Sequence, residues 1–417
     1  MQTQGLERPV TSRRISALEL VSSEPHRLMF FFGALQGVIA LGWWSAEIVA
    51  RYGFSHVLHA WTVPPMWAHA WLLLYGFFPF FMFGFLMTAG PNWLGAPKPG
   101  RVGFVPAAVA MALGLVFFYT GLFVSRGVAA AGLVLHLAGW IWGIGVLVRM
   151  VVRYWNPNAR YALLLFAFFT AGCAGSGVFA WSVASGDYRF AAYALHGAVW
   201  FFLLPIFSGV STRMVPFFSS RILGLAADYR PWWARPALMG GVLAHGVIEF
   251  SGAPQVLWLV DMPLAVIVAL LAWRWGLARS FHVRLLAVLH ISPAVLATAL
   301  LLSGVLSIAV ATGALERIGL APLHLLTIGY FAAMTVGMVS RVSLGHSGRP
   351  LEADAWTWWC YVGLVTAAFV RAIAEFSLGT SAAPTLMVLA GLLAFASFGA
   401  WAWRYVPMYV LPRVDAK

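Results

Sequence analysis

The chain has 417 residues, of which 62% are hydrophobic and 9% charged, and its mean hydropathy is +0.85. A soluble domain carries roughly a quarter charged residues, so this composition excludes a soluble fold and points to a membrane protein. The net charge of +13 does not point to nucleic acid, because the basic residues are scattered between apolar runs and form no patch.

The first 26 residues are polar, end in "SSEPHR" and carry no cleavable-signal pattern, so the first apolar run is expected to be retained. Runs long enough to cross a bilayer then recur near residues 27–49, 64–89, 103–124, 128–149, 161–183, 191–212, 236–252, 255–273, 285–311, 320–340, 355–376 and 383–406. Twelve predicted spans leave no stretch for a soluble domain, and residues 1–417 read as one all-α transmembrane domain. Cys173 and Cys360 fall inside spans 5 and 11. They are isolated, fit neither a disulfide framework nor a zinc motif, and read as packing residues. Of the 26 Lys and Arg, all but Arg51, Arg126, Arg189, Arg317 and Arg371 lie on the same side of the predicted membrane as the N-terminus. The positive-inside rule therefore puts both termini in the cytoplasm.

The chain repeats at about one third of its length. His69, His196 and His324 are spaced 127 and 128 residues apart, each a few residues into an even-numbered span entered from outside. His196 and His324 are both followed, thirteen residues on, by a glycine (Gly209, Gly337) and, seventeen on, by an arginine (Arg213, Arg341). Spans 7 and 11 align as "HGVIEFSG" and "RAIAEFSLG", matching Glu249 with Glu375. Spans 4, 8 and 12 end in "RYW", "WRW" and "WRY". The expected architecture is three four-helix repeats, near 27–150, 160–276 and 284–408, around a pseudo-threefold axis. This plan resembles that of the catalytic subunit of heme–copper oxidases, whose spans 2, 6, 7 and 10 supply the metal-binding histidines.

Helix rise, about 1.5 Å per residue, converts offset into depth. His69, His196 and His324 fall roughly 6–9 Å below the outer surface, and His245, on span 7, roughly 10 Å. Four histidines on spans 2, 6, 7 and 10 thus share one layer. His136 lies deeper, and His290 lies near the inner surface. His26, His282 and His346 are in or beside inside loops, and His56 and His59 are in an outside loop. Neutral imidazole is a common ligand of heme iron and copper. Glu249, four residues after His245, shares its helix face and is placed to orient that ring or relay protons.

Four stretches resemble the NnrS family of bacterial inner-membrane proteins linked to nitric oxide metabolism: "HRLMFFFGALQGVIALGWW", "HAWLLLYGFFPFFMFGFLMTAGPNWLG", "FFLLPIFSGVSTRMVPFFSSRI" and "HLLTIGYFAAMTVGMVSRVSLGHSGRP". The "LAVLH" of span 9 is a weaker fifth. The resemblance implies heme (b-type) and copper bound in the inner membrane, with a role in denitrification or in surviving nitric oxide. The family's span 2 pattern, His-x-His-Glu, reads Trp67, His69 and Ala70 here. It also implies an inner alternative, a cytoplasmic ring where Arg213 and Arg341 bind heme propionates or another anion and His290 and His346 serve as ligands.

The expectation is that His324 ligates heme with His69 opposite, and that His196 and His245, with Glu249, hold a second metal. The expected partners are nitric oxide or a related small ligand and the bilayer, with no nucleic acid. The apolar exterior permits protomers to associate. Whether the protein turns over, buffers or senses nitric oxide stays open. The competing class is a twelve-helix secondary transporter of a metal ion or small anion without a redox cofactor, which predicts two halves and no common histidine depth.

Overall fold

A computed structural model describes residues 16–53, 60–224 and 228–415, and among these the regular structure is entirely helical. His56 and His59 lie outside the described residues. In chain order the long helices are α1 (Pro25–Arg51), α2 (Pro65–Leu94), α3 (Arg101–Val124), α4 (Arg126–Arg153), α5 (Ala159–Ser185), α6 (Ala191–Leu223), α7 (Ala234–Phe250), α8 (Trp258–Arg274), α9 (Arg284–Ala311), α10 (Ala321–His346), α11 (Ala355–Phe376) and α12 (Ala382–Val410). Ten of them are long and apolar enough to cross a membrane. The exceptions are α7 and α8, at 17 residues each. Each rises roughly 25 Å, at the lower limit for crossing the ~30 Å hydrocarbon core, so ten of the twelve spans expected from the sequence stand as candidate spans.

Helical folding lets each apolar run satisfy its own backbone polar groups, which lipid cannot do. Pro25, Pro65 and Pro322 sit in first turns, where a missing N–H costs no helical hydrogen bond. One residue, Ser125, separates α3 from α4. Its backbone is extended, and its hydroxyl accepts a hydrogen bond from Val128 N at 3.3 Å to cap the new helix.

Neighbours in the chain are neighbours in space. Within the bundle α3 packs on α4, α7 on α8 and α11 on α12. Across the expected repeat boundaries α4 packs on α5 and α8 on α9, while α12 returns to α1 and closes the ring.

The three helices that carry the spaced histidines share a local irregularity. In α2 the chain leaves regular helix between Leu74 and Phe78, and the N–H groups of Tyr75 and Gly76 both reach Trp71 O. In α6 residues Val199–Leu203, and in α10 residues Leu325–Ala332, are wound as π-helix. Such widened turns occur often at functional sites. Where these helices meet, Phe78, Phe207 and Phe331 form a triangle, with ring centroids 5.7, 5.9 and 4.9 Å apart. On the inner side of this triangle lies an apolar cavity of about 70 Å³, walled by residues that include Phe30, Met82, Val210, Met214 and Met338.

Candidate functional site

The second turn of α6, the C-terminal turns of α7 and the first turn of α8 bring His196, His245, Glu249 and Asp261 together. His196 Nδ1 lies 2.7 Å from Glu249 Oε1. His245 Nδ1 lies 2.6 Å from Asp261 Oδ1, and its Nε2 is 3.9 Å from Glu249 Oε2. Trp200 stacks on the His245 ring, with centroids 3.4 Å apart and planes 20° apart. Asp261 is fully buried and His245 is 2% exposed. A carboxylate in that position is costly unless paired, and the short bond to His245 supplies the partner. With Nδ1–H given to Asp261, the lone pair of His245 is on Nε2, facing Glu249. This carboxylate–histidine arrangement is the one that orients metal-binding imidazoles.

His196, Trp200, His245 and Glu249, but not Asp261, line a cavity of about 440 Å³, a size suited to a small ligand or cofactor. Its wall includes His196, Trp200, His245, Glu249 and Ser303. It also includes Pro322 from the first turn of α10, two residues before His324.

His324 and His69 form the second grouping. His324 Nδ1 is 2.9 Å from Leu320 O, which fixes that nitrogen as the N–H and leaves Nε2 free. His69 stacks flat on Trp44, with centroids 4.0 Å apart and planes at 13°. His69 Nδ1 is buried with no hydrogen-bond partner. His324 lies within electrostatic reach of His69, and Arg371 acts on both rings. Arg371 in turn pairs with Glu375 at 3.0 Å, and Glu375 accepts from Leu320 N at 3.2 Å. The two glutamates aligned by the repeat therefore do different work: Glu249 binds a histidine, and Glu375 anchors the start of α10.

The remaining histidines are structural or lie elsewhere. His136 is fully buried and faces two carbonyls, Met111 O at 3.0 Å and Tyr75 O at 3.2 Å, the latter next to the break in α2. His290 is fully buried, and its Nε2 lies 2.8 Å from Ser219 Oγ. That hydroxyl also donates to Val215 O, so the imidazole is the donor and links α9 to α6. His346 does not join His290 but packs against His26, with ring centroids 4.3 Å apart. No hydrogen bond or ring contact among the described residues links His290 to His346; the contact seen is that of His26 with His346.

Arg213 and Arg341 are also apart from the outer histidines. Each follows its histidine by seventeen residues, roughly 25 Å along the helix, beyond the reach of a propionate from a heme held in the outer layer. Arg341 lies over Phe218, with Cζ 4.0 Å from the ring centroid, and Arg213 lies over Trp93 at 4.8 Å.

Sequence reasoning missed Asp261, Trp200, Trp44 and the contact of His26 with His346. Asp261 had a legible mark, since an acidic residue within the apolar run "WLVDMPLAVIV" reads as functional by default. The tryptophans had none among the chain's 21. Among the described residues no three His, Cys, Asp or Glu stand as a ready-made metal ligand set. A metal ion here would displace the His196–Glu249 hydrogen bond and draw the three side chains inward. The donor types fit such an ion: two imidazoles, a carboxylate with one buried oxygen unpaired, and a second carboxylate behind His245. Heme iron needs only one or two imidazoles, and the free Nε2 of His324 fits that requirement.

Residues 20–413, nearly the whole chain, match the family model described as NnrS protein. No curated protein matches the chain.

Proposed function

Because the chain belongs to the NnrS family, and is thereby a membrane protein related to nitric oxide, we propose that it holds heme and copper in one layer near the outer face of the bacterial inner membrane. It would act there in nitric oxide metabolism, denitrification or nitric oxide stress protection. The observation that carries this reading is the joining of His196 and His245 through Glu249 in the wall of a cofactor-sized cavity, with His324 within electrostatic reach of His69. His324 and His69 would hold heme iron. His196, His245 and Glu249 would hold copper, with Asp261 fixing the His245 ring. Bound heme and copper supply redox-active metals that coordinate nitric oxide. The chain's own residues orient the imidazoles, surround the cavity with Trp200, leucines and prolines that limit water, and leave the second oxygen of Glu249 available to a proton or a ligand.

The three-repeat architecture belongs to the same proposal. It is supported by the equivalent packing of α4 on α5, α8 on α9 and α12 on α1, and by the irregular turns that follow each spaced histidine. A carrier built from two inverted halves gives no reason for either. The orientation rests on the distribution of Lys and Arg. Tags on both termini should survive protease added outside spheroplasts, and cleavage of either tag reverses inside and outside throughout.

The test is an absorption spectrum and metal analysis of the detergent-purified protein. A reducible Soret band with bound copper is the expected result, and a colourless, copper-free protein expressed with both available would favour the transporter. His196→Ala and His245→Ala should each remove copper while leaving most heme absorbance. Asp261→Asn should weaken copper binding by ~10–100-fold, the usual scale for losing an orienting partner. Equal heme loss in the two alanine variants would mean that the four histidines are divided differently.

A further inference from the structure

The structure assigns a second binding site, for a phosphate-type oxyanion, to the start of α5, far from the histidine layer. Arg213 from α6 and Arg235 from α7 both lie over the ring of Tyr161, with Cζ 5.5 Å and 4.6 Å from its centroid. Arg230 and Arg235 are near enough for their charges to act on Arg213. Guanidinium groups are permanently charged and repel one another, so such a group calls for an anion. The nearby acid does not supply it. Asp228 is taken by Ser220 and by Arg230, the latter at 2.5 Å.

Three further observations point to a ligand. Arg235 Nε is buried and donates to nothing. Tyr161 is 7% exposed, and its hydroxyl is buried without a hydrogen-bond partner. The 27-residue helix α5 begins at Ala159 with no side-chain cap on its amides. Buried donors without acceptors are uncommon and ask for an explanation. A long helix's uncapped N-terminus favours an anion, and two guanidinium forks recognise phosphate oxygens in a planar, two-pronged manner. Asn158 completes the wall. Its Oδ1 accepts a 3.3 Å bond from Arg213 Nη1, while its Nδ2 holds Trp93 O at 3.0 Å.

The occupant that fits is the phosphate of an anionic phospholipid. The site opens where α5 starts and α2 ends, at one face of the bundle. Trp93, which is part-exposed, is an amphipathic aromatic of the kind that favours the headgroup region. Free phosphate shares the chemistry and differs in having no acyl chains. The proposal stands apart from the metals and does not require them.

The experiment is lipid binding by native mass spectrometry on the full-length, detergent-solubilised protein, comparing phosphatidylglycerol with phosphatidylcholine of the same chains. A parallel thermal-shift series uses inorganic phosphate. Phosphatidylglycerol should bind the unmodified protein better, and Arg213→Gln or Arg235→Gln should each weaken it roughly tenfold or more, the scale of one charge-assisted hydrogen bond. Tyr161→Phe should give a smaller loss. Arg160→Gln, which removes an exposed charge one residue from Tyr161, should change little. If a Gln variant is poorly folded, Arg235→Lys keeps the charge without the fork and should still weaken binding. Equal binding of both lipids, or equal effects of Arg160→Gln and Arg235→Gln, would overturn the site. Stabilisation by inorganic phosphate that only the Arg213 and Arg235 variants lose, without lipid preference, would keep the site and overturn the lipid as its occupant.

Discussion

Replacing His324 or His69 by alanine should abolish the Soret absorbance or shift it severely, while His290→Ala leaves it intact per folded molecule. His324 sits one turn into α10 behind Pro322, and its Nδ1–H is committed to Leu320 O. Only Nε2 remains for iron, and no neighbouring side chain substitutes for it. An imidazole left in an apolar wall without a partner costs on the order of 1–3 kcal/mol, a cost that an iron–nitrogen bond removes. His69 is held flat against Trp44 with a buried, unpaired Nδ1, so its ring is positioned before any ligand arrives. Arg371, whose charge acts on both rings, is the cation a carboxylate-bearing macrocycle would meet near this depth. His290 serves as the comparison because its bond to Ser219 gives it a structural task. Loss of colour in His346→Ala or His26→Ala, with His324→Ala still red, would move the cofactor to the cytoplasmic end.

The second large effect is expected at the α3–α4 contact. Gly114 on α3 meets Gly132 on α4, and Gly121 and Gly139 lie so close to the facing helix that their nearest neighbours are backbone atoms. A Cβ at Gly139 would come within 2.6 Å of Ala107 O and 2.8 Å of Met111 N. One at Gly121 would strike Ala129 N and Cα. Flexible side chains could swing aside, but a helix backbone cannot, so the two helices would have to separate. Without a hydrophobic drive in lipid, close packing of small residues is a main force holding such pairs. Gly139→Val or Gly121→Val should therefore destabilise by ~3 kcal/mol or more, the upper range for overpacking, and lower the melting temperature of the purified protein sharply. Gly145→Val, on the same helix with nothing within 4 Å, is the control. A Gly139→Val protein that melts with the control would mean that this contact is not tight.

The sequence carried the features that depend on local periodicity. Apolar run length located the helices. The i,i+4 relation put Glu249 on the His245 face, where it lies against that ring and reaches His196. What stayed hidden depends on which helices touch. Nothing local pairs Asp261 with His245 or lays Trp200 on that ring, since each needs the packing of separate helices. His26 read as a loop residue because Pro25 opens α1 immediately before it, and only the return of the chain brings His346 alongside. The expected span at 236–252 has the length of α7, shifted by two residues, while the expected start at 255 lies three residues ahead of α8 because Pro254–Val256 form a separate 3-10 turn.

The three phenylalanines where α2, α6 and α10 converge carry a consequence for energetics across the membrane. Phe78, Phe207 and Phe331 interlock midway along their helices, and the space on their inner side is lined by phenylalanine, methionine and valine. Apart from the hydroxyls of Ser211 and Thr335, these walls offer a hydrated ion little in exchange for its water, so the seam is a barrier to ion passage. Protons would therefore reach the histidines from the end of the bundle that carries them rather than through this seam.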